Sequence, residues 1–160
     1  MEDMMTSTDT SILRGLRVAV TGGTSGLGLA LVATLNNHGA NVAFVARHGD
    51  RVREVAREHT GTHGIQGDVS LKDDIYPIAM QIAAALGGLD VLINNASTLG
   101  PVPLALLADT DCEDLEAALA TNVVGPFRLT KALLGALGAS AREDRPAQVI
   151  NISSGAAVTP

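Results

Sequence analysis

Val18–Val32 reads VAVTGGTSGLGLALV. It begins as a run of small and β-branched apolar residues, breaks at Thr21 into a glycine-rich turn, and resumes with the apolar spacing of a helix. Gly22, Gly26 and Gly28 fall where a chain must turn tightly off a strand, let backbone approach a ligand, and pack a helix close to a sheet. Free N–H groups at the start of that helix, with the positive end of its dipole, favour a pyrophosphate. Three glycines alone would equally fit a turn without a ligand; the strand before, the helix after and a second strand at the right interval favour the nucleotide reading. Gly23 to Gly28 also has the glycine spacing of a mononucleotide P-loop, but Leu29 and Ala30 stand where a Lys-Ser/Thr pair would hold phosphate and Mg²⁺.

Outward from this stretch, short β-branched runs alternate with longer segments of helical period. Strands are predicted at Arg17 to Thr21, Asn41 to Ala46, Gly64 to Gly67, Asp90 to Asn94 and Gln148 to Ile152. Between the third and fourth, Ile75, Ile78, Ala79, Ile82, Ala83 and Leu86 form the stripe of an amphipathic helix. Similar stripes fill Ser25 to His38, Asp50 to His59 and Glu113 to Leu137. Strands that read as apolar runs must be covered on both faces, the position of parallel strands under crossover helices. The expected fold is therefore α/β, a doubly wound parallel sheet of Rossmann type.

The chain has 160 residues, 46% of them hydrophobic and 18% charged, as in a folded globular domain. Residues 1–14 are expected to be a flexible terminus and 15–160 one dinucleotide-binding domain. The net charge of -6, with no Lys/Arg cluster, argues against nucleic acid and anionic membrane as partners. A single cysteine and the lack of an 18-residue apolar run point to a reducing compartment, the cytoplasm. Cys112 lies among Asp111, Glu113 and Asp114, which disfavour a thiolate, and is read as structural. His59 and His63, separated by Gly61, do not make a helical metal pair, so no metal is expected.

The spacing Thr-Gly-x-x-x-Gly-x-Gly resembles that of the short-chain dehydrogenase/reductase family. The resemblance runs from about Gly15 to Pro160 through Asp68-Val69, NNAS at Asn94 to Ser97, Asn122 within TNVVGPF, and NISS at Asn151 to Ser154. Ser97 departs from the glycine usual there. The resemblance implies hydride transfer between a nicotinamide and a small carbonyl or alcohol substrate, in a homo-oligomer. It implies cofactor contacts from Gly22, Thr24, Ser25, Gly26, Leu27 and Gly28 of the turn, from Asp68 to the adenine amino group, from Val69 beside the ring, and from Asn95 and Ala96 as a floor. Asp68 could instead cap the next turn, and Asn94-Asn95 could satisfy backbone at a strand end.

An acidic residue at the end of the second strand would bond the ribose 2′-OH of NAD(H), but this segment is Ala46-Arg47-His48. Arg47 offers a planar cation to a 2′-phosphate, so NADP(H) is favoured over NAD(H). The alternative is a solvated arginine in a basic loop, since Arg51 and Arg53 follow.

Pro126 lacks the N–H that would bond the Asn122 carbonyl, so the long helix should kink there. In the family the matching asparagine carbonyl holds a water of a proton relay, which would make Asn122 catalytic; a kink that only bends the helix around the sheet is the other reading. The resemblance also makes Ser154 the group that hydrogen-bonds the substrate carbonyl. The family's Tyr-x-x-x-Lys pair would then follow Pro160, because Tyr76, the single tyrosine, is followed by Pro77, Ile78, Ala79 and Met80. On that reading the 160 residues carry an incomplete domain and are inactive alone. The competing reading is a non-catalytic nucleotide-binding or interaction module, which would leave the apolar fifth strand as an exposed edge.

Overall fold

The structure is a computed structural model that describes residues 10–154. Most of the expected loose N-terminus and the segment after Ser154 lie outside the described residues; Thr10–Leu13 form a short 3-10 turn. Five parallel strands, β1 (Arg17–Thr21), β2 (Asn41–Ala46), β3 (His63–Gln66), β4 (Val91–Asn94) and β5 (Gln148–Asn151), form one sheet in the order β3-β2-β1-β4-β5. The chain winds outward from β1 to β3, then crosses back to β4 and β5. This reversal opens a crevice beyond the carboxyl ends of β1 and β4.

Alternate residues of the strands face two apolar layers, which is why the strands read as unbroken apolar runs. On one face Ala19, Val45 and Leu92 pack against Ile75, Ile78 and Ile82 of α3 (Lys72–Leu86) and Leu129, Leu133 and Leu137 of α5 (Gly125–Arg142). On the other, Val18, Val20, Phe44 and Ile93 meet Val32 of α1 (Gly26–Asn37) and Val52 and Val55 of α2 (Gly49–Glu58). Beyond β5 no further strand covers the sheet among the described residues, and Val149 and Ile150 are 38% and 40% exposed.

The element boundaries differ from expectation in small ways. β3 starts one residue earlier and ends at Gln66, because His63 pairs with Ala43 while Gly67 only donates its N–H to the Ala46 carbonyl as the chain leaves. β4 starts at Val91 and β5 ends at Asn151, end effects of one residue. The fourth helical stretch is not one kinked helix. α4 (Cys112–Leu119) runs into a π turn at Ala120–Val124, where the Gly125 N–H reaches the Ala120 carbonyl, and α5 follows with Pro126 in its first turn. The missing donor of Pro126 is thus absorbed by a shift of hydrogen-bond register just before it.

At the sheet end opposite the crevice, Asp90 is fully buried between two arginines. Arg17 gives it a backbone N–H at 2.8 Å and Nη2 at 2.8 Å, and Arg145 gives Nη2 at 2.6 Å and Nε at 3.0 Å. Arg17 also donates to Ser140 Oγ at 2.8 Å, and that hydroxyl donates to the Leu89 carbonyl at 2.7 Å. The cluster ties β1, the start of β4 and the end of α5 together. Burial alone would push the Asp90 carboxyl up, but the bonds from Arg145 and Arg17 outweigh it and hold the group well below the usual carboxylate range.

Because the folded carboxyl titrates below its unfolded value of about 3.9, its stabilisation is present above about pH 4 and is lost as the pH falls further. Asp90→Asn leaves two guanidinium groups facing a neutral amide and should cost about 3 kcal/mol at pH 7 in urea denaturation. The variant should also lose less stability than the native chain between pH 5 and pH 3. Equal stability of the two proteins at pH 7 would mean that the cluster contributes nothing.

Candidate active-site cleft

The crevice is built on contacts between the turn after β1 and the end of β4. The Thr21 side chain, 2% exposed, accepts the backbone N–H groups of Asn95 and Ala96 through Oγ1, each at 3.0 Å. In return Asn95 Nδ2 donates to the carbonyls of Thr21 at 3.0 Å and Gly22 at 3.4 Å. Gly28 makes this approach feasible, since a Cβ there would lie 2.1 Å from the Gly22 oxygen and 2.5 Å from Asn95 Nδ2. Gly26 has φ +50° and open space beyond its Cα, so the turn presents bare backbone at that point.

A cleft of about 460 Å³ lies over this turn. Gly22, Thr24, Ser25, Gly26, Leu27, Gly28, Arg47, Asp68, Val69, Asn95 and Ala96, the residues expected from the sequence to contact a dinucleotide, all line it. His48, Gly67, Ser97, Thr121 and Ile152 line it too, the last three from within NNAS, TNVVGPF and NISS, although none of the five is among the contacts expected from the sequence. Ser97 has no positive φ, so its side chain costs the turn no backbone strain where the family usually has glycine.

The arginines around the cleft separate by their partners. Arg51 pairs with Glu54, and Arg53 with Asp50, both within α2, whereas Arg47 is exposed and makes no ion pair among the described residues. Its backbone carbonyl accepts from Gln66 Nε2 at 3.4 Å. Asp68 does cap its turn, with Oδ1 accepting the Ser70 N–H at 2.9 Å and the Ser70 hydroxyl at 2.7 Å, while the residue also lines the cleft. Val69 is shared in the same way between core and cleft.

A second cleft of about 650 Å³ adjoins the first, sharing Ala96, Ser97 and Ile152, and it holds Asn122 and Ser154. Asn122 projects from the π turn onto the loop after β4. Its Oδ1 accepts the Thr98 N–H at 2.9 Å and its Nδ2 donates to the Thr98 carbonyl at 2.8 Å, so a single amide pairs with both backbone groups of one residue. The sequence points to the Asn122 carbonyl and not to this side-chain clamp; a threonine and an asparagine 24 residues apart carry no local signal of pairing. Gly125 is pressed against the loop after β3, where a Cβ would lie 2.5 Å from the Val69 oxygen. The helix carrying Asn122 is therefore packed directly on the Val69 wall of the first cleft.

Two other residues with reactive side chains lie elsewhere. Tyr76 is exposed on α3 and lines neither cleft. Cys112, read from the sequence as structural, is exposed in the first turn of α4.

The model of the family described as short chain dehydrogenase matches residues 17–160, and the chain belongs to that family. It is 33% identical over 159 residues to the short chain dehydrogenase/reductase dpmpG of Macrophomina phaseolina, covering 94% of this chain and 87% of that protein. It is 33% identical over 140 residues to L-fucose dehydrogenase of Rattus norvegicus, covering 88% of this chain and 49% of that one. Among solved structures, a metagenomic short-chain oxidoreductase in complex with NADP superposes with a TM-score of 0.81 at 32% identity, over 94% of this chain and 67% of the other. The chain spans 37% and 49% of the length of two of its curated relatives. No helix among the described residues is long and apolar enough to cross a membrane.

Asn122→Ala removes both bonds to Thr98. Amide hydrogen exchange at Thr98 should speed about tenfold or more, the loss of roughly 1.4 kcal/mol of local protection. Asn122→Asp keeps the acceptor for the Thr98 N–H and should fall between. Unchanged exchange in Asn122→Ala would mean that the loop is held by something else.

Proposed function

We propose that this chain carries the NADP(H)-binding side of an oxidoreductase that moves a hydride between nicotinamide and a small carbonyl or alcohol substrate. The observation that carries this reading is Arg47: an exposed guanidinium on the rim of the first cleft, beside the glycine turn, without a carboxylate partner among the described residues. A 2′-phosphate would supply the missing anion through charge-assisted, bidentate bonds, which a ribose hydroxyl cannot do. The open face at Gly26 and the start of α1 suit a pyrophosphate, and the similar metagenomic oxidoreductase, solved in complex with NADP, supports the same choice.

When bound, the nicotinamide would supply or take up the hydride. The chain's own residues have the tasks of holding and orienting. Asp68 and Val69 would face the adenine, and Asn95 and Ala96 would form the floor. Ser154 would donate a hydrogen bond to the substrate carbonyl in the adjoining cleft. Asn122 would fix the loop above that carbonyl through Thr98, and its own carbonyl would hold the water of a proton relay. Exposed Leu115, Leu119 and Leu134 on α4 and α5 are consistent with a homo-oligomer.

Arg47→Asp should weaken NADPH binding about tenfold or more, because the charge-assisted pair is replaced by repulsion, and should leave NADH binding nearly unchanged. Calorimetric titration of both nucleotides against the native chain and the variant checks this. An unaltered NADPH-to-NADH preference would remove Arg47 from the cofactor site.

A further inference from the structure

The loop after β4 carries an unusual density of exposed apolar side chains. Leu99, Val102, Leu104, Leu106 and Leu107 are each between 67% and 78% exposed. Single exposed leucines are ordinary, but this many in one short loop is the pattern of a partner surface. The loop is nonetheless pinned at both ends. At its start the Asn122 amide clamps Thr98, whose hydroxyl accepts the Gly100 N–H at 3.1 Å. At its end the Asp109 N–H and the Thr110 hydroxyl donate to the Leu106 carbonyl at 2.9 and 3.0 Å. A partner covering the leucines would therefore have little further ordering to impose on them.

Between this loop and α4 lies a hollow of about 160 Å³. Leu99, Pro103, Leu104 and Leu115 give it apolar walls, and Asp109, Asp111 and Asp114 line it as well. None of these carboxylates has an ion-pair partner among the described residues. The hollow thus joins apolar contact to unneutralised negative charge. Its volume falls below the roughly 300–1,000 Å³ of small-molecule sites and suits an anchor side chain of a larger partner. Lys or Arg beside such an anchor would reach the carboxylates while its apolar stem covered the leucines. A second copy of this chain fits poorly, because pairing this face with itself sets the aspartates against their own like charges in a chain already at -6.

We propose that the hollow between the loop after β4 and α4 docks a segment of another protein in which an apolar anchor side chain is flanked by Lys or Arg. Leu99 lines both this hollow and the cleft that holds Asn122 and Ser154, so the docked segment abuts the wall of that cleft.

The test is fluorescence anisotropy at pH 7 and low salt with three capped, dye-labelled peptides of equal length, alternating leucine with arginine, alanine with arginine, and leucine with glutamate. The leucine–arginine peptide should bind the native chain at least about tenfold more tightly than the other two, and added salt should weaken it. Leu104→Ser, and separately Asp109→Lys combined with Asp114→Lys, should each weaken that peptide about tenfold or more, while Asp73→Lys, at an exposed acidic position on α3, should leave it unchanged. Equal binding of the alanine–arginine peptide would reduce the effect to net charge, and equal binding of the leucine–glutamate peptide to apolar adhesion; either overturns the proposal. So does unchanged binding in both sets of hollow variants. Sedimentation of the native chain and of Leu104→Ser covers the remaining occupant: a dimer lost in the variant, with no peptide bound by the native chain, would give the hollow to a second copy and overturn the proposal.

Discussion

The site depends on one short-range constraint, the reciprocal bonding of Thr21 and Asn95 across the carboxyl ends of β1 and β4. The threonine hydroxyl satisfies two backbone donors where β4 stops pairing, and the asparagine amide satisfies the carbonyls where β1 stops. Each strand end closes the other, so the sheet can terminate at its switch point without buried, unpaired backbone. Gly28 is part of the same constraint, because any side chain there would drive α1 away from the Gly22 carbonyl and from Asn95. With this contact made, the bare backbone at Gly26 and the Asn95-Ala96 floor face one volume.

Two other contacts orient what surrounds it. The buried Asp90 cluster fixes the opposite end of β1 and β4 to α5, and α5 runs from there up to the π turn that holds Asn122. At that upper end Gly125 meets the Val69 carbonyl and Asn122 grips Thr98, and the two clefts share Ala96 and Ser97 of the loop after β4 and Ile152 after β5.

Much of this is legible in the sequence. The apolar strand runs, the amphipathic stripe from Ile75 to Leu86 and the glycine turn are local patterns, and together they imply a parallel, doubly wound sheet that the structure reproduces in order and direction. The residues expected to contact a dinucleotide converge on one cleft, because they sit at strand ends that a parallel sheet brings to one edge. What stays hidden is long-range and side-chain-specific. Arg145 reaches Asp90 from 55 residues away, and Thr98 meets Asn122 from 24. Proline at 126 announces a lost hydrogen bond, but not that a π turn in place of a kink absorbs it. The isolation of Arg47 emerges only with the pairing of Arg51 and Arg53 inside their own helix.

The central claim is that the crevice at the β1–β4 switch point receives NADP(H), with its 2′-phosphate at Arg47. A crystal structure of the chain grown with NADPH tests it most directly. The expected result is density for the pyrophosphate over Gly26 and the start of α1, with the 2′-phosphate within hydrogen-bonding distance of the Arg47 guanidinium. Density for the nucleotide elsewhere on the chain, or in this cleft with the 2′-phosphate directed away from Arg47, would contradict it.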